Sequence, residues 1–509
     1  MSPLPDVGDF IYIFVLYLAL FVLPDMLFAD GSTGWHLVTG EYILTNLSVP
    51  STDIISYSFD HKPWVAYEWL FDVVLALMNY AGGTNLIAVA LSSIIGFIFL
   101  DIYDRARSAG SGILMASFFT VVAVLVSATH WLARPHIVEY LCLLTFVYVL
   151  QSFYKGKIAA RSLFMILSPV MLIWVNSHPS FALGCFIALL YFAVTLAQSY
   201  LSSSGGTRAR AASQWKVLLA LMAALTLLSF VNPYGYKLHL YILHYLEGQE
   251  ILKATNEFMS PVFHGGLHAT CLEILLIGFV AGLSRKRKVS TPMLILTIVL
   301  LHGSLAAVRN MPIFAMVVTP IIAYLWGSDK RESDTNSLPE SSSAISRIVR
   351  ILRDFEEQEG RSKMHLVPMI ATIVLVLLCF NGGTLFGTRV IDSGFSSDDL
   401  PSTTLDYIRE NNLLRKRGFN FDNWGGYLAY KLDTRVFIDD RADFYGEKFY
   451  RDYTKVMFTG NGWEETLEKY KIDWILFPKG SKLSQVLKEN PNWQEVKSDR
   501  TASLFLRKY

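Results

Sequence analysis

Long apolar runs recur along most of this chain, and they constrain its fold more than any other feature. A membrane-spanning helix needs about 20 mostly apolar residues, with roughly 17 as a lower limit. Runs near 9–29, 85–104, 112–131, 136–153, 162–177, 180–200, 215–231, 269–284, 290–308, 311–327 and 366–382 meet or approach that length. Hydrophobic residues make up 52% of the 509 and charged residues only 17%, more apolar surface than a soluble fold could bury. The expected fold class is therefore a polytopic α-helical membrane protein with about eleven transmembrane helices. The first run lacks the basic region and cleavage site of a removable signal, and reads as a retained span. A net charge of +1 offers no footprint for nucleic acid. Cys142, Cys185, Cys271 and Cys379 all sit inside apolar runs without metal-ligand spacing, and read as small buried hydrophobes.

The run 66–80 is too short to assign by length, and charge decides it. Lys and Arg concentrate in cytoplasmic loops. With 66–80 lying at the interface, Arg105/Arg107, Lys155/Lys157/Arg161, Arg208/Arg210/Lys216, Arg285 to Lys288 and the run from Lys330 to Lys363 all share one side. A spanning 66–80 would strand Arg105/Arg107 opposite the other four clusters. We therefore expect 66–80 not to span, with the N-terminus cytoplasmic and the C-terminal region outside. The implied layout is a transmembrane domain over 1–382, with outer loops 30–84 and 232–268 and a polar cytoplasmic linker over 328–365. A Gly/Ser/Asp linker over 383–402 leads to an outer domain over 403–509. In that tail the patterns at 402–412, 462–470 and 482–490 look helical, whereas TRVFID, DWILFP and ASLFLRK look strand-like. Such a mixture predicts a small α/β domain.

The polar residues of the other side are unusual ones. Asp30 follows the first span, in FADGSTGWHLVTGEYIL. A carboxylate at that depth is costly unless paired, so Asp30 is a candidate catalytic base; it reads equally as a helix N-cap. Glu68, between Tyr67 and Trp69, could be a second active-site acid or a first-turn carboxylate facing a helix dipole. His36 reads as a satisfied interface residue. Arg134 and His136 flank Pro135, His178 lies at the next outer turn, and Arg309 at a later one. Such cations could converge on phosphate oxygens, or could snorkel singly to lipid headgroups. In the tail, Asp422, Trp424, Asp439 and Asp443 form the densest polar motifs. They could bind hydroxyls of an acceptor, although loop capping explains them too. No P-loop, Rossmann glycine fingerprint, HExxH or CxxC pair is present.

Taken together, the acidic motif after the first span, the long first outer loop with interface helices near 36–45 and 66–80, the many spans and the soluble tail resemble the C-type membrane glycosyltransferase superfamily (GT-C). DGSTGWHLVTGEYI, VPSTDIISY, PWVAYEWL, ARPH, NPYGYKLHLY, RNMPIFA, NWGGYLAYKL and VFIDDRADFYG resemble an uncharacterised bacterial group of this type. The resemblance implies a GT-C-like fold in the bacterial inner (plasma) membrane. It also implies transfer of a sugar from a polyprenyl-phosphate-linked donor to a glycan, lipid or protein acceptor. Asp30 then matches the first-loop catalytic acid. Relatives often place a second acid next to that acid or two residues after it, where this chain has Gly31 and Ser32. That departure disfavours a bound divalent metal, and no cofactor is expected. A non-catalytic scaffold of the same fold is one rival reading. A transporter of lipid-linked glycans is the other, disfavoured because the notable charges sit at helix ends and not at mid-membrane.

Overall fold

The structure is a computed structural model that describes residues 4–247, 256–327, 356 and 364–508; most of the expected linker 328–365 lies outside the described residues. Within them, six helices of 18 residues or more are apolar enough to cross a membrane, and five shorter apolar helices accompany them. All eleven coincide with the apolar runs of the sequence. The chain is an integral membrane protein, mostly helical, with a sheet-bearing region at its C-terminal end.

The first helix starts on a capping box, in which the Asp6 side chain accepts from the Asp9 amide and Asp9 from the Asp6 amide. Its helical turns stop at Val22, well short of residue 29. Pro24 is the physical reason, since a proline disfavours helical geometry in the residue before it, and Leu23 adopts φ −130°, ψ 59°. The run 66–80 forms the first part of the helical stretch Trp69–Ser108, which breaks at Gly82 and Gly83. Gly83 has φ +64° and ψ −164°, a backbone state open essentially to glycine alone. That break separates the 69–81 segment, packed on helix Ser32–Asn46, from the long buried helix that follows.

In the tail, four strands lie in the order Gly418–Asn420, Trp474–Pro478, Ala502–Arg507, Trp493–Ser498. The first pair is parallel and the others antiparallel. Helices Thr403–Glu410, Trp463–Tyr470 and Lys482–Glu489 form where the sequence patterns place them. TRVFID does not form a strand. The buried Asn420 side chain takes over the pairing a neighbouring strand would supply: its Oδ1 accepts from the Phe437 amide at 3.0 Å and its Nδ2 donates to the Ile438 carbonyl at 2.8 Å. On the other side the segment touches the loop between helices Ser32–Asn46 and Trp69–Ser108, where Val436 donates to Ile55 and accepts from Tyr57.

That contact is part of a larger one. Trp35, Ile55 and Trp64 from the first loop are buried together with Leu428, Trp474 and Leu504 from the tail in one apolar core. Phe59 inserts among Phe444, Tyr445 and Phe449, with ring centroids 4.7–5.5 Å apart. Helix Ser32–Asn46 also meets helix Gly425–Leu432 backbone to backbone: a Cβ on Gly34 would lie 2.3 Å from the Gly426 carbonyl oxygen. The first loop and the tail thus pack as one body beside the apolar helices.

Candidate functional site

Where that body meets the helix ends, a cavity of about 390 Å³ opens. Asp30, Trp35 and His36 reach it from the start of helix Ser32–Asn46, and Glu68 from the residue preceding Trp69–Ser108. His130, Arg134 and His136 come from the junction between two apolar helices, where Pro135 opens helix His136–Tyr154. His178 and Arg309 come from two further helix-end turns, and Glu257 and Phe258 from the turn Asn256–Phe258. The tail closes the cavity with Asp422, Asp440, Arg441, Asp443 and Tyr450.

Arg134 is the hub. Its Nη1 donates to Glu257 Oε1 at 2.7 Å and its Nη2 to Asp440 Oδ2 at 2.9 Å, while Asp30 Oδ2 lies 3.2 Å from Nη2. Nη2 also donates to the Ser32 hydroxyl, which in turn donates to Asp440. Burial alone would weaken the Arg134 charge, but Asp30, Glu257 and Asp440 outweigh it and raise its pKa. Burial likewise opposes ionisation of Glu257, yet Arg134, with His130 and Arg309, brings it down to about 2. Asp440 goes the other way, raised by burial and then by the charge of Asp30.

Among the described residues, no Lys or Arg lies within 4.0 Å of Glu68. Burial pushes it up to about 8, so it stays largely protonated at neutral pH. Its Oε2 lies 3.9 Å from His36 Nε2, and His36 Nδ1 is 2.6 Å from Asp72 Oδ1. His36 is therefore part of a buried Asp72–His36–Glu68 line. Burial, and then the charge of Arg134, lowers its pKa well below the usual imidazole range. His178 is kept neutral by burial and then by Arg309, and its Nδ1 sits 2.6 Å from the Ser180 hydroxyl and 3.4 Å from Glu139. His136 Nε2 bonds the His130 carbonyl at 2.8 Å. Arg309 differs from Arg134: among the described residues no carboxylate lies within 4.0 Å of it, and its guanidinium sits over the Phe258 ring at 4.6 Å. It is a cation facing the cavity without an ion pair to any described carboxylate.

Of the residues singled out in the sequence, Asp30, Glu68, Arg134, His136, His178, Arg309, Asp422 and Asp443 all line this cavity. Trp424 and Asp439 do not. Trp424 is buried with its indole N–H on the Asp399 carbonyl at 3.1 Å. Asp439 is fully buried, held by Arg441 through two 2.7 Å bonds and by the Tyr445 hydroxyl at 2.8 Å. Both hold the tail together. Asp422 faces the cavity while accepting from Tyr450 and Tyr453 at 2.9 and 3.0 Å, and burial raises its pKa. Asp443 is raised by burial too, and accepts from Tyr241. Sequence reasoning missed Glu257 and Asp440. Asp440 stands within the acidic motif already singled out, but its neighbours Asp439 and Asp443 were preferred. Glu257 stands in a loop with no local signal.

Comparison of the backbone with solved structures places this architecture. The crystal structure of an oligosaccharyltransferase from Archaeoglobus fulgidus in the apo form superposes with a TM-score of 0.55 at 12% identity, covering 92% of this chain and 69% of that one. An archaeal oligosaccharyltransferase from Archaeoglobus fulgidus in complex with an inhibitory peptide and a dolichol-phosphate gives the same score and identity over 93% of this chain and 69% of that one. An arabinofuranosyltransferase from Mycobacteria aligns at 12% identity and a TM-score of 0.45, over 99% of this chain and 42% of that one. No protein-family model and no curated protein matches the sequence. The fold is GT-C-like.

Proposed function

We propose that this GT-C-like membrane protein is a glycosyltransferase that takes a sugar from a polyprenyl-phosphate-linked donor at the outer membrane–water interface. The observation that carries this reading is convergence: Asp30, Glu68, Arg134, His178 and Arg309, from five separate segments, line one cavity at the helix ends. A lipid carrier suits such a place, since its tail can stay in hydrocarbon while its sugar reaches water. The bound phosphate of an archaeal neighbour, a dolichol-phosphate, belongs to the same chemical class.

Arg309 binds the donor phosphate, because it lines the cavity and among the described residues no carboxylate lies within 4.0 Å of it, and the neutral His136 and His178 offer hydrogen bonds beside it. Arg134, held by three acids, contributes more to shaping the site than to gripping phosphate. Asp30 orients the acceptor hydroxyl and takes its proton as the acceptor oxygen attacks the anomeric carbon. The bond from that carbon to the phosphate oxygen breaks, and its electron pair leaves with the lipid phosphate, where Arg309 stabilises the added charge. Protonated Glu68 donates a hydrogen bond at the same site. Asp422 and Asp443 meet the acceptor, which is a glycan, a lipid or a protein. The C-terminal domain lies outside the membrane, the bacterial inner membrane being the setting implied by the sequence motifs.

The test is turnover of undecaprenyl- or dolichyl-phosphate sugars by purified protein. Asp30→Asn should cost about 10²–10⁴-fold in turnover. Arg309→Ala should weaken donor binding and slow transfer by about 10²-fold or more. Turnover unaffected by either change refutes the assignment. Saturable donor binding without turnover in the wild type would instead support a scaffold.

A further inference from the structure

Asp30, Glu257 and Asp440 come from chain segments far apart in sequence, yet they meet at one point of the cavity. Carboxylates gathered in this way can hold a divalent cation, which takes oxygen ligands at about 2.0–2.6 Å. Here the meeting point is the guanidinium of Arg134, bonded to Glu257 at 2.7 Å and Asp440 at 2.9 Å, with Asp30 at 3.2 Å. The other oxygens of the two aspartates are engaged as well. Asp30 Oδ1 accepts the Ser32 amide, and Asp440 Oδ1 accepts the Trp35 indole N–H at 3.0 Å. Among the described residues, the group whose metal-ligating atoms lie within 4.8 Å of one another is Asp6, Asp9 and His365, at the opposite end of the first helix. The donor set of the cavity does not fit a metal ion.

We infer that Arg134 stands in place of a divalent metal: a built-in guanidinium that gathers Asp30, Glu257 and Asp440 and removes the need for a bound ion. An arginine suits this position for three physical reasons. It stays charged at every physiological pH, its planar fork serves several acceptors at once, and it cannot be lost to a chelator. It also supplies one positive charge where a metal would supply two. The balance is met by Asp440, whose proton affinity is raised beside Asp30, and by the neighbouring charge of Arg309. The arrangement joins the first loop, an inter-helix turn, the second outer loop and the tail through one side chain. For its consequence on catalysis this inference rests on the glycosyl-transfer reading. For metal occupancy it does not.

The experiment titrates Mn²⁺ into detergent-purified protein and follows bound metal by electron paramagnetic resonance. The wild type is expected to show no Mn²⁺ site that depends on Asp30 or Asp440. Arg134→Met removes the cation and should gain about one equivalent of Mn²⁺ per chain, lost again in the Arg134→Met/Asp440→Asn double variant. Arg134→Lys keeps a charge at the same place and should bind none. A wild-type Mn²⁺ site abolished by Asp30→Asn overturns the inference, and so does a folded R134M that takes up no metal. Removing the cation leaves buried acids unpaired, so R134M should fold better with Mn²⁺ than without; failure to fold in both also counts against it. Because metal occupancy is read without transfer, its outcome is separable from any failure to find turnover.

Discussion

Gly34→Ala tests whether the cavity depends on close backbone contact between the first loop and the tail. A Cβ at residue 34 would sit 2.3 Å from the Gly426 carbonyl oxygen and 2.6 Å from the Tyr427 nitrogen. Both are backbone atoms, so no side chain can swing aside to relieve the clash. Ordinary contact begins near 3.4 Å, so the two helices must part by about 1 Å, a strain in the range of about 1–3 kcal/mol for overpacking. Thermal unfolding in detergent should show this as a midpoint lowered by a few degrees, about 2–4 °C per kcal/mol for domains of 150–250 residues. The same displacement draws Asp440 away from Arg134, so activity should fall although residue 34 touches no ligand. Gly205→Ala is the control, since nothing lies within 4 Å of a Cβ there. If G34A unfolds and turns over as G205A does, the argument from backbone contact is wrong.

Glu68 gives a pH signature: its folded pKa of about 8 lies above the unfolded 4.5. Its contribution to stability is full below pH 4.5 and is lost as pH rises towards 8, so Glu68→Gln should flatten the wild type's decline across that window, by on the order of a few kcal/mol; parallel declines in denaturation against pH would refute it. Asn420→Ala leaves the Phe437 amide and Ile438 carbonyl without their partner inside a buried segment. A loss of about 1–3 kcal/mol is expected, with faster proteolysis near residue 437, and an unchanged midpoint would argue against the pairing role. Cysteines introduced at the exposed Ser204 and Ser402 should label from opposite faces of the membrane, Ser204 from the cytoplasm and Ser402 from outside; labelling of both from one face would overturn the proposed topology.

The apolar helices were legible because membrane thickness sets their length, whatever they pack against. The cavity's lining was legible in part for a related reason: ionisable residues at helix ends are rare enough to stand out, so Asp30, Arg134, His178 and Arg309 could be read singly. What the sequence could not give was pairing. Arg134 and Arg309 look alike in the chain, yet one is surrounded by three acids and the other has no described carboxylate within 4.0 Å. That distinction depends on Glu257 and Asp440, brought close only by tertiary packing. Trp424 and Asp439 failed for the opposite reason. Their motifs are as polar as Asp422 and Asp443, but a turn of backbone directs them inward to Asp399 and Arg441. TRVFID shows that strand propensity does not decide the outcome when an Asn420 amide already occupies the pairing edge.

The shared core of first loop and tail has a consequence for the order of synthesis. Trp35, Ile55 and Trp64 are made hundreds of residues before Leu428, Trp474 and Leu504, the partners that bury them. While the intervening helices are inserted, these aromatic faces have no tail to cover them, and Arg134 has no Asp440. The cavity is therefore completed only by segments made long after the first loop, so a nascent protein cannot present a finished site before its tail has arrived and docked.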